Sequence, residues 1–305
     1  TMEEVLLEVA GVGGLGRLER AELNVEEIRM ISGEALEKCP RLLSLSLNVN
    51  ALTTLAGVEA APSLEELSAR ENQIECMASV AGLTRLATLS LGVNRIATVK
   101  GLENLGALRS LELHNNLITT LPPGCLGAAA HSLERLILYR NRITEVGDSL
   151  AGASRLTHLD LGRNALSSAE GLRDCRMLET LILYENALVA FPEGGMCLPL
   201  LRQLWLNGNK LTALPSLALL PSLEQLHAAD NHISSLQALE GLAPATLTTL
   251  DLSFNHLETL ASLLPLASVG FSLQRLQAND NPVASLPPYR PLLLSLLPAL
   301  LDLDT

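Results

Sequence analysis

Three groups of side chains in this 305-residue chain have types and spacings that could do chemistry. His158 with Asp160, and His227 with Asp230, could each serve as an acid–base or metal pair. Cys39, Cys76, Cys125, Cys175 and Cys197 could bind metal or form disulfides. The run Gly11-Val12-Gly13-Gly14-Leu15-Gly16 has the spelling of a loop that cradles a pyrophosphate. Each lacks a further condition that its chemistry sets. A catalytic pair needs a water-excluding pocket and a third group to orient it, so these histidines are read as solvated surface groups. The cysteines are scattered rather than paired at metal-ligand spacing, and burial by packing is expected of each. A dinucleotide loop follows a strand and opens a helix, whereas here helical spacing precedes the glycines and a strand pattern follows, which predicts a linker. With no phosphate loop or nucleophile elbow elsewhere, the chain reads as a non-enzyme without catalytic residues, metal or cofactor.

The elements that would position any site come from one recurring frame. Leu86-x-x-Leu89-x-Leu91-x-x-Asn94-x-Ile96 is followed twenty-two residues on by Leu108, Leu111, Leu113, Asn116 and Ile118. Alternation at Leu89 and Leu91 makes a short strand with both leucines on one face, after which the asparagine turns the chain. A buried amide at that bend can bond the backbone groups of its own turn and of the next, which gives the asparagine a structural role. The same register holds Asn50, Asn72, Asn94, Asn116, Asn141, Asn164, Asn186, Asn209, Asn231, Asn255 and Asn281, with the longest copies before Asn141, Asn255 and Asn281. A degenerate first copy carries Leu18, Ala21, Leu23, Ile28 and Ile31, with Glu26 in the asparagine slot. Return segments place apolar residues three apart, as in Val99, Leu102 and Leu105, which predicts short 3₁₀ or single-turn helices on the outer side. Leu121-Pro122-Pro123-Gly124 and Phe191-Pro192-Glu193-Gly194-Gly195 are expected to bulge that side outward.

This frame resembles the short intracellular class of leucine-rich repeats, typified by the nuclear regulatory subunit of protein phosphatase-1. The ending resembles that class's C-terminal cap: Tyr289-Arg290, the apolar Leu292 to Leu294, Leu297-Pro298, then Leu303-Asp304. The resemblance implies an α/β solenoid, a horseshoe of about twelve turns with a parallel concave sheet and short 3₁₀ or irregular segments on the convex side. The expected organisation is a capping helix and linker over residues 1–17, repeats over 18–286, and the cap over 287–305. In the helix, Met2, Val5, Leu6 and Val9 share the apolar face. Axonemal, spliceosomal and ciliary proteins share these motifs, so they specify a fold more closely than a function.

Between the core leucines, side chains project onto the concave face. Its aromatics cluster: Tyr139, Tyr184 and the single tryptophan, Trp205, fall within four adjacent turns, joined by Ile137 and Ile182. Glu112, His114, Asp160, His227 and Asp251 surround them, with the flat Gly162 between the tyrosines. An apolar centre ringed by polar groups is the layout of a protein-binding site, and Trp and Tyr dominate such centres. In the phosphatase regulator acidic and aromatic residues of this face hold the partner, which the resemblance carries over in kind to Glu112, Tyr139, Asp160, Tyr184, Trp205 and Asp251. Ser46, Ser68 and Ser90 in the early turns depart from a charged face, against a footprint running its full length.

Charge and composition narrow the partner and the setting. A net charge of −12 without a basic stripe excludes a nucleic-acid backbone and suits a basic protein. Neither end has the cysteines for a disulfide knot, which predicts a reducing compartment. The apolar run 291–301 is too short for a bilayer and holds two prolines, and no cleavable signal opens the chain. A monomer in the cytoplasm, a cilium or flagellum, or the nucleus is expected. Thr1 before Met2, and an end directly after the cap, read as a segment trimmed from a longer protein.

Overall fold

The computed structural model describes residues 2–11, 14–191, 196–241 and 246–304. The chain divides into two compact units, Thr1–Leu156 and Thr157–Thr305. In the first, β1 (Arg20–Glu22), β2 (Ser44–Ser46), β3 (Glu66–Ser68), β4 (Thr88–Ser90), β5 (Ser110–Glu112) and β6 (Arg135–Ile137) pair in parallel in sequence order. In the second, the same holds for β7 (His158–Asp160), β8 (Thr180–Ile182), β9 (Gln203–Trp205), β10 (Gln225–His227), β11 (Thr249–Asp251), β12 (Arg275–Gln277) and β13 (Asp302–Leu303). The middle residue of each repeat strand enters the core, Ala21 in β1 and leucine in β2 to β12. Leu67, Leu89 and Leu111 are paired in register and at most 1% exposed, as are Leu181, Leu204 and Leu226. Burying each such side chain stabilises the stack by roughly 1.5 to 3 kcal/mol.

Each strand is short because the chain must turn inward, and the turn costs energy. The residue before the asparagine adopts a left-handed backbone in turn after turn: Val49 (φ 56°), Glu71 (54°), Val93 (58°), Asp230 (53°) and Phe254 (55°). For an L-residue this costs about 1 to 2 kcal/mol, most for branched or bulky side chains. The asparagine amide offsets it. Asn94 Oδ1 accepts from Ile74 N at 2.9 Å, while its Nδ2 donates to the carbonyls of Ala69 (2.9 Å), Leu91 (3.0 Å) and Gly92 (3.3 Å). One side chain thus ties two successive turns, and the pattern recurs at Asn116, Asn209, Asn231, Asn255 and Asn281. In the degenerate first turn Asn50 does the same work from its neighbour, accepting from Glu26 N (3.1 Å) and Ile28 N (2.9 Å).

Both ends differ from the repeats. Helix α1 (Met2–Ala10) buries Met2 and Leu6 and lies against β1; the side chain of Val9 is outside the described residues. Residues 12–13 of the glycine run are likewise outside them; a helix precedes the run and a 3₁₀ turn, Leu15–Arg17, then β1 follow it. The first return segment forms a helix that its sequence did not announce, α2 (Gly33–Glu37), whose N-cap Ser32 Oγ accepts from Ala35 N at 3.3 Å. At the other end α3 (Tyr289–Leu296) leads to β13, a thirteenth strand beyond the twelve expected turns. Asp304 locks it. Its Oδ1 accepts from Ala278 N (2.8 Å) and its Oδ2 from the buried Tyr289 hydroxyl (3.0 Å).

Short 3₁₀ helices occur in many return segments, such as Val58–Ala60, Ala78–Gly82 and Gly127–His131. The longest, Leu260–Val269, takes up the insertion before Asn281. The return segment of the Asn94 copy takes turns instead, although Val99, Leu102 and Leu105 are buried as expected. There Gly101, at φ 90°, passes so near Ala78 that a Cβ would lie 2.9 Å from its Cα. Residues 192–195 of the second expected bulge are outside the described set. Among the described residues no helix is long and apolar enough to cross a membrane.

Candidate partner-binding face

The side chains flanking each buried leucine form rows across the strands. In the first unit these rows are filled from within. Asn24 Oδ1 accepts from the Ser46 hydroxyl (2.7 Å) and Asn48 N (2.8 Å), and Asn48 Oδ1 accepts from the Ser68 hydroxyl (2.7 Å) and Arg70 N (2.8 Å). This second amide ladder explains the serines. Arg70 then extends over β4 to form an ion pair with Glu112, whose carboxylate also accepts from the Ser90 hydroxyl at 3.2 Å and lies 3.9 Å from Arg135 Nε. Ser90 and Gly92 leave room for that crossing. The His114 ring occupies the rest of the space, since a Cβ on Gly92 would fall 2.2 Å from its Cε1. Burial lowers the His114 pKa, with Glu112 opposing and Arg70 adding to the shift.

Of the ten residues expected to form a site, four lie in this unit. Glu112 and His114 are engaged as described, Tyr139 is half-buried, and Ile137 is only 7% exposed. Ile137 therefore offers a partner little surface, against its expected place in an exposed apolar centre.

The other six lie in the second unit. Register places Asp160, Ile182, Trp205, His227 and Asp251 in one row across β7 to β11, at strand steps of about 4.8 Å. Trp205 and His227 stack with ring centroids 3.9 Å apart and planes 14° from parallel. Such a pair contributes about 0.5 to 1.5 kcal/mol beyond its buried area. Burial lowers the His227 pKa, and Asp251 partly opposes the shift. Both carboxylates of the row hold their own strand ends: Asp160 Oδ1 accepts from Gly162 N (2.9 Å), and Asp251 Oδ1 from Ser253 N (3.0 Å) and its hydroxyl (2.7 Å). In the neighbouring row the Tyr184 ring lies over Gly162, where a Cβ would meet Tyr184 Cε1 at 2.7 Å. Beside His227 a cleft of ≈ 350 Å³ opens, lined in part by Asp251, Arg275, Gln277 and Asp302.

One pairing and one side chain were not read from the sequence. Arg70 sits two residues before Asn72, a face position, but its pairing with Glu112 two turns away depends on the gap left by Ser90 and Gly92. Phe254 occupies the slot just before Asn255 and is 56% exposed at the rim; an aromatic in a slot that elsewhere carries valine, glycine, asparagine or a charged residue was the available signal.

Asp230 is exposed at the rim, while His227 is engaged with Trp205. Among the described residues no three His, Cys, Asp or Glu side chains are grouped to hold a metal ion. The cysteines are free thiols, but the expectation of uniform burial fails: Cys39 and Cys175 are buried and Cys125 is half-buried, while Cys76 and Cys197 are exposed beside Ile74, Met77, Met196 and Leu198, which take the buried positions. Burial pushes the Cys175 thiol up to about 12 and Cys125 to about 11.

The stacked parallel strands, the asparagine ladder and the repeat period define the class: this is a leucine-rich-repeat solenoid with a solvent-facing sheet. A leucine-rich-repeat family model matches residues 106–166 and 131–188. Toll-like receptor 2 of Cricetulus griseus is 30% identical over 158 residues, 44% of this chain and 20% of the receptor. The U2 small nuclear ribonucleoprotein A' of Candida glabrata is 33% identical over 99 residues, 32% of this chain and 36% of that protein. A mouse centrosomal protein of 72 kDa is 42% identical over 55 residues, 18% of this chain and 8% of its own length. The chain thus spans well under half the length of each of these relatives. Among solved structures, a leucine-rich-repeat protein of Leptospira interrogans superposes with a TM-score of 0.71 at 28% identity, covering 89% of this chain and 74% of the other.

Proposed function

We propose that this chain is a non-enzymatic interaction module whose sheet face holds a folded protein partner. The observation that carries the reading is the half-buried group of Ile182, Tyr184, Trp205 and His227 in the second unit, bordered by Asp251. The early turns of the first unit close their own hydrogen bonds, so a partner gains more by covering the aromatic group. Trp and Tyr supply large contact area at low conformational cost, and the acidic balance of the chain favours a basic partner.

Two specific forms follow. One is a regulatory or targeting subunit of a phosphatase, supported by the resemblance of the repeats and cap. The other is a repeat domain of a ciliary or microtubule-associated protein, supported by the 42% identity to a centrosomal protein over 55 residues. Affinity purification of the full-length protein from its own cell separates them by whether phosphatase catalytic subunits or centrosomal and axonemal proteins are retained. Recovery of a covalently linked enzyme domain instead would make the module a recognition domain fused to that enzyme.

The face itself is tested by substitution. Trp205→Ala and Tyr184→Ala should each weaken capture of the purified partner by about 2 kcal/mol or more while the protein stays folded, Trp205→Ala also lowering the melting temperature by the loss of its stack on His227. Unchanged capture by both variants would remove the aromatic group as the binding centre.

A further inference from the structure

We propose that the rim of the second unit at Phe254 is a seat for an arginine side chain of the protein partner, with Asp230 and Asp280 on either side of the ring. This rests on the partner-binding reading and adds the chemistry of one contact. Phe254 is 56% exposed and holds a left-handed backbone, φ 55°. The same slot in the other repeat turns of this unit carries Arg163, Glu185, Gly208, Asp230 and Asp280. Val49 and Val93 show that this slot accepts apolar side chains elsewhere in the chain, but a ring left 56% exposed buries too little for folding to select an aromatic there. The two neighbouring slots are in register with it: Asp230 N donates to Ser253 O at 2.9 Å, and Phe254 N to Asn279 O at 3.1 Å. The backbones of Asp230 and Asp280 therefore stand about 5 Å to each side of the Phe254 backbone, the spacing of adjacent strands.

The local charge is unbalanced in the same sense. From Gln225 to Tyr289 the chain carries Asp230, Glu240, Asp251, Glu258 and Asp280 against a single guanidinium, Arg275. Arg275 opens β12, at the end of the strand away from the rim. Asp280 accepts from the Asn279 side chain at 2.6 Å, a neutral donor that leaves its charge in place. The imidazoles of His232 and His256, stacked 5.1 Å apart, lie on the slots just beyond the asparagines. A ring face attracts a cation, and flanking carboxylates accept its N–H donors. A guanidinium serves both roles better than an ammonium, being planar and more weakly hydrated.

An amide-resolved NMR titration of the chain with acetyl-Gly-Arg-Gly-amide tests this. Shifts should concentrate at Asp230, Phe254 and Asp280, with a weaker response to the lysine analogue. Phe254→Ala should reduce affinity about three- to fivefold and Phe254→Tyr should retain it. Shifts spread evenly over the exposed carboxylates, or an unaltered affinity in a folded Phe254→Ala protein, would overturn the seat. The two readings fail separately: loss of partner capture in Trp205→Ala without peptide binding sinks the seat alone. Peptide binding at Phe254 with capture intact in Trp205→Ala and Tyr184→Ala supports the seat and sinks the aromatic centre.

Discussion

Asn231 is 3% exposed, and all its polar atoms are engaged: Oδ1 with Leu211 N at 3.0 Å, Nδ2 with the carbonyls of Leu206 (3.0 Å), Ala228 (3.2 Å) and Ala229 (3.1 Å). Leucine has a similar volume but would strand the Leu211 N–H and the Leu206 carbonyl in a water-free bend. Asn231→Leu should therefore destabilise the protein by about 1 to 3 kcal/mol, read as a lowered Tm; an unaltered melting curve would deny the amide its structural role. This role was legible in the sequence because period and residue type coincide eleven times. The Trp205–His227 stack was not, since adjacency in a row follows from register but ring orientation follows from rotamers. The same limit hid Ile137, whose place on the face was legible while its burial depended on the conformations of its neighbours.

At the scale of the element, glycines separate what the turn demands from what the face tolerates. Gly101 sits in a return segment at φ 90°, with the backbone of Ala78 where a Cβ would go. Gly162 has ordinary backbone angles, and a Cβ there would meet the Tyr184 ring. Backbone cannot yield, whereas a ring can swing outward. Gly101→Ala should cost about 2 kcal/mol or more, and Gly162→Ala about 0.5 kcal/mol or less while displacing Tyr184 and weakening partner capture. Equal losses from denaturant melts of the two variants would contradict this assignment. The sequence made the strands and bends legible through their period, but not α2 or β13. Both lie where an end turn lacks a neighbour, so the repeat pattern relaxes and local capping by Ser32, or the Tyr289–Asp304 contact, decides the structure.

Across the whole molecule, stability is a sum over turns rather than the property of one core, because among the described residues each strand pairs only with the strands next to it in sequence. A defect should then act locally. Asn231 bonds the turn before its own, through Leu206 and Leu211, and its own turn through Ala228 and Ala229. In Asn231→Leu the amides of Leu211, Ala228 and Ile233 should exchange faster, by about one to two orders of magnitude for a loss of 1 to 3 kcal/mol. Amides of β2 to β4, far along the chain, should keep their wild-type protection under conditions where exchange proceeds by local opening. A compact single core would respond otherwise, with protection falling by a similar factor throughout. Hydrogen exchange followed residue by residue distinguishes the two, and a uniform loss would mean that the stack unfolds as one cooperative unit despite its nearest-neighbour construction.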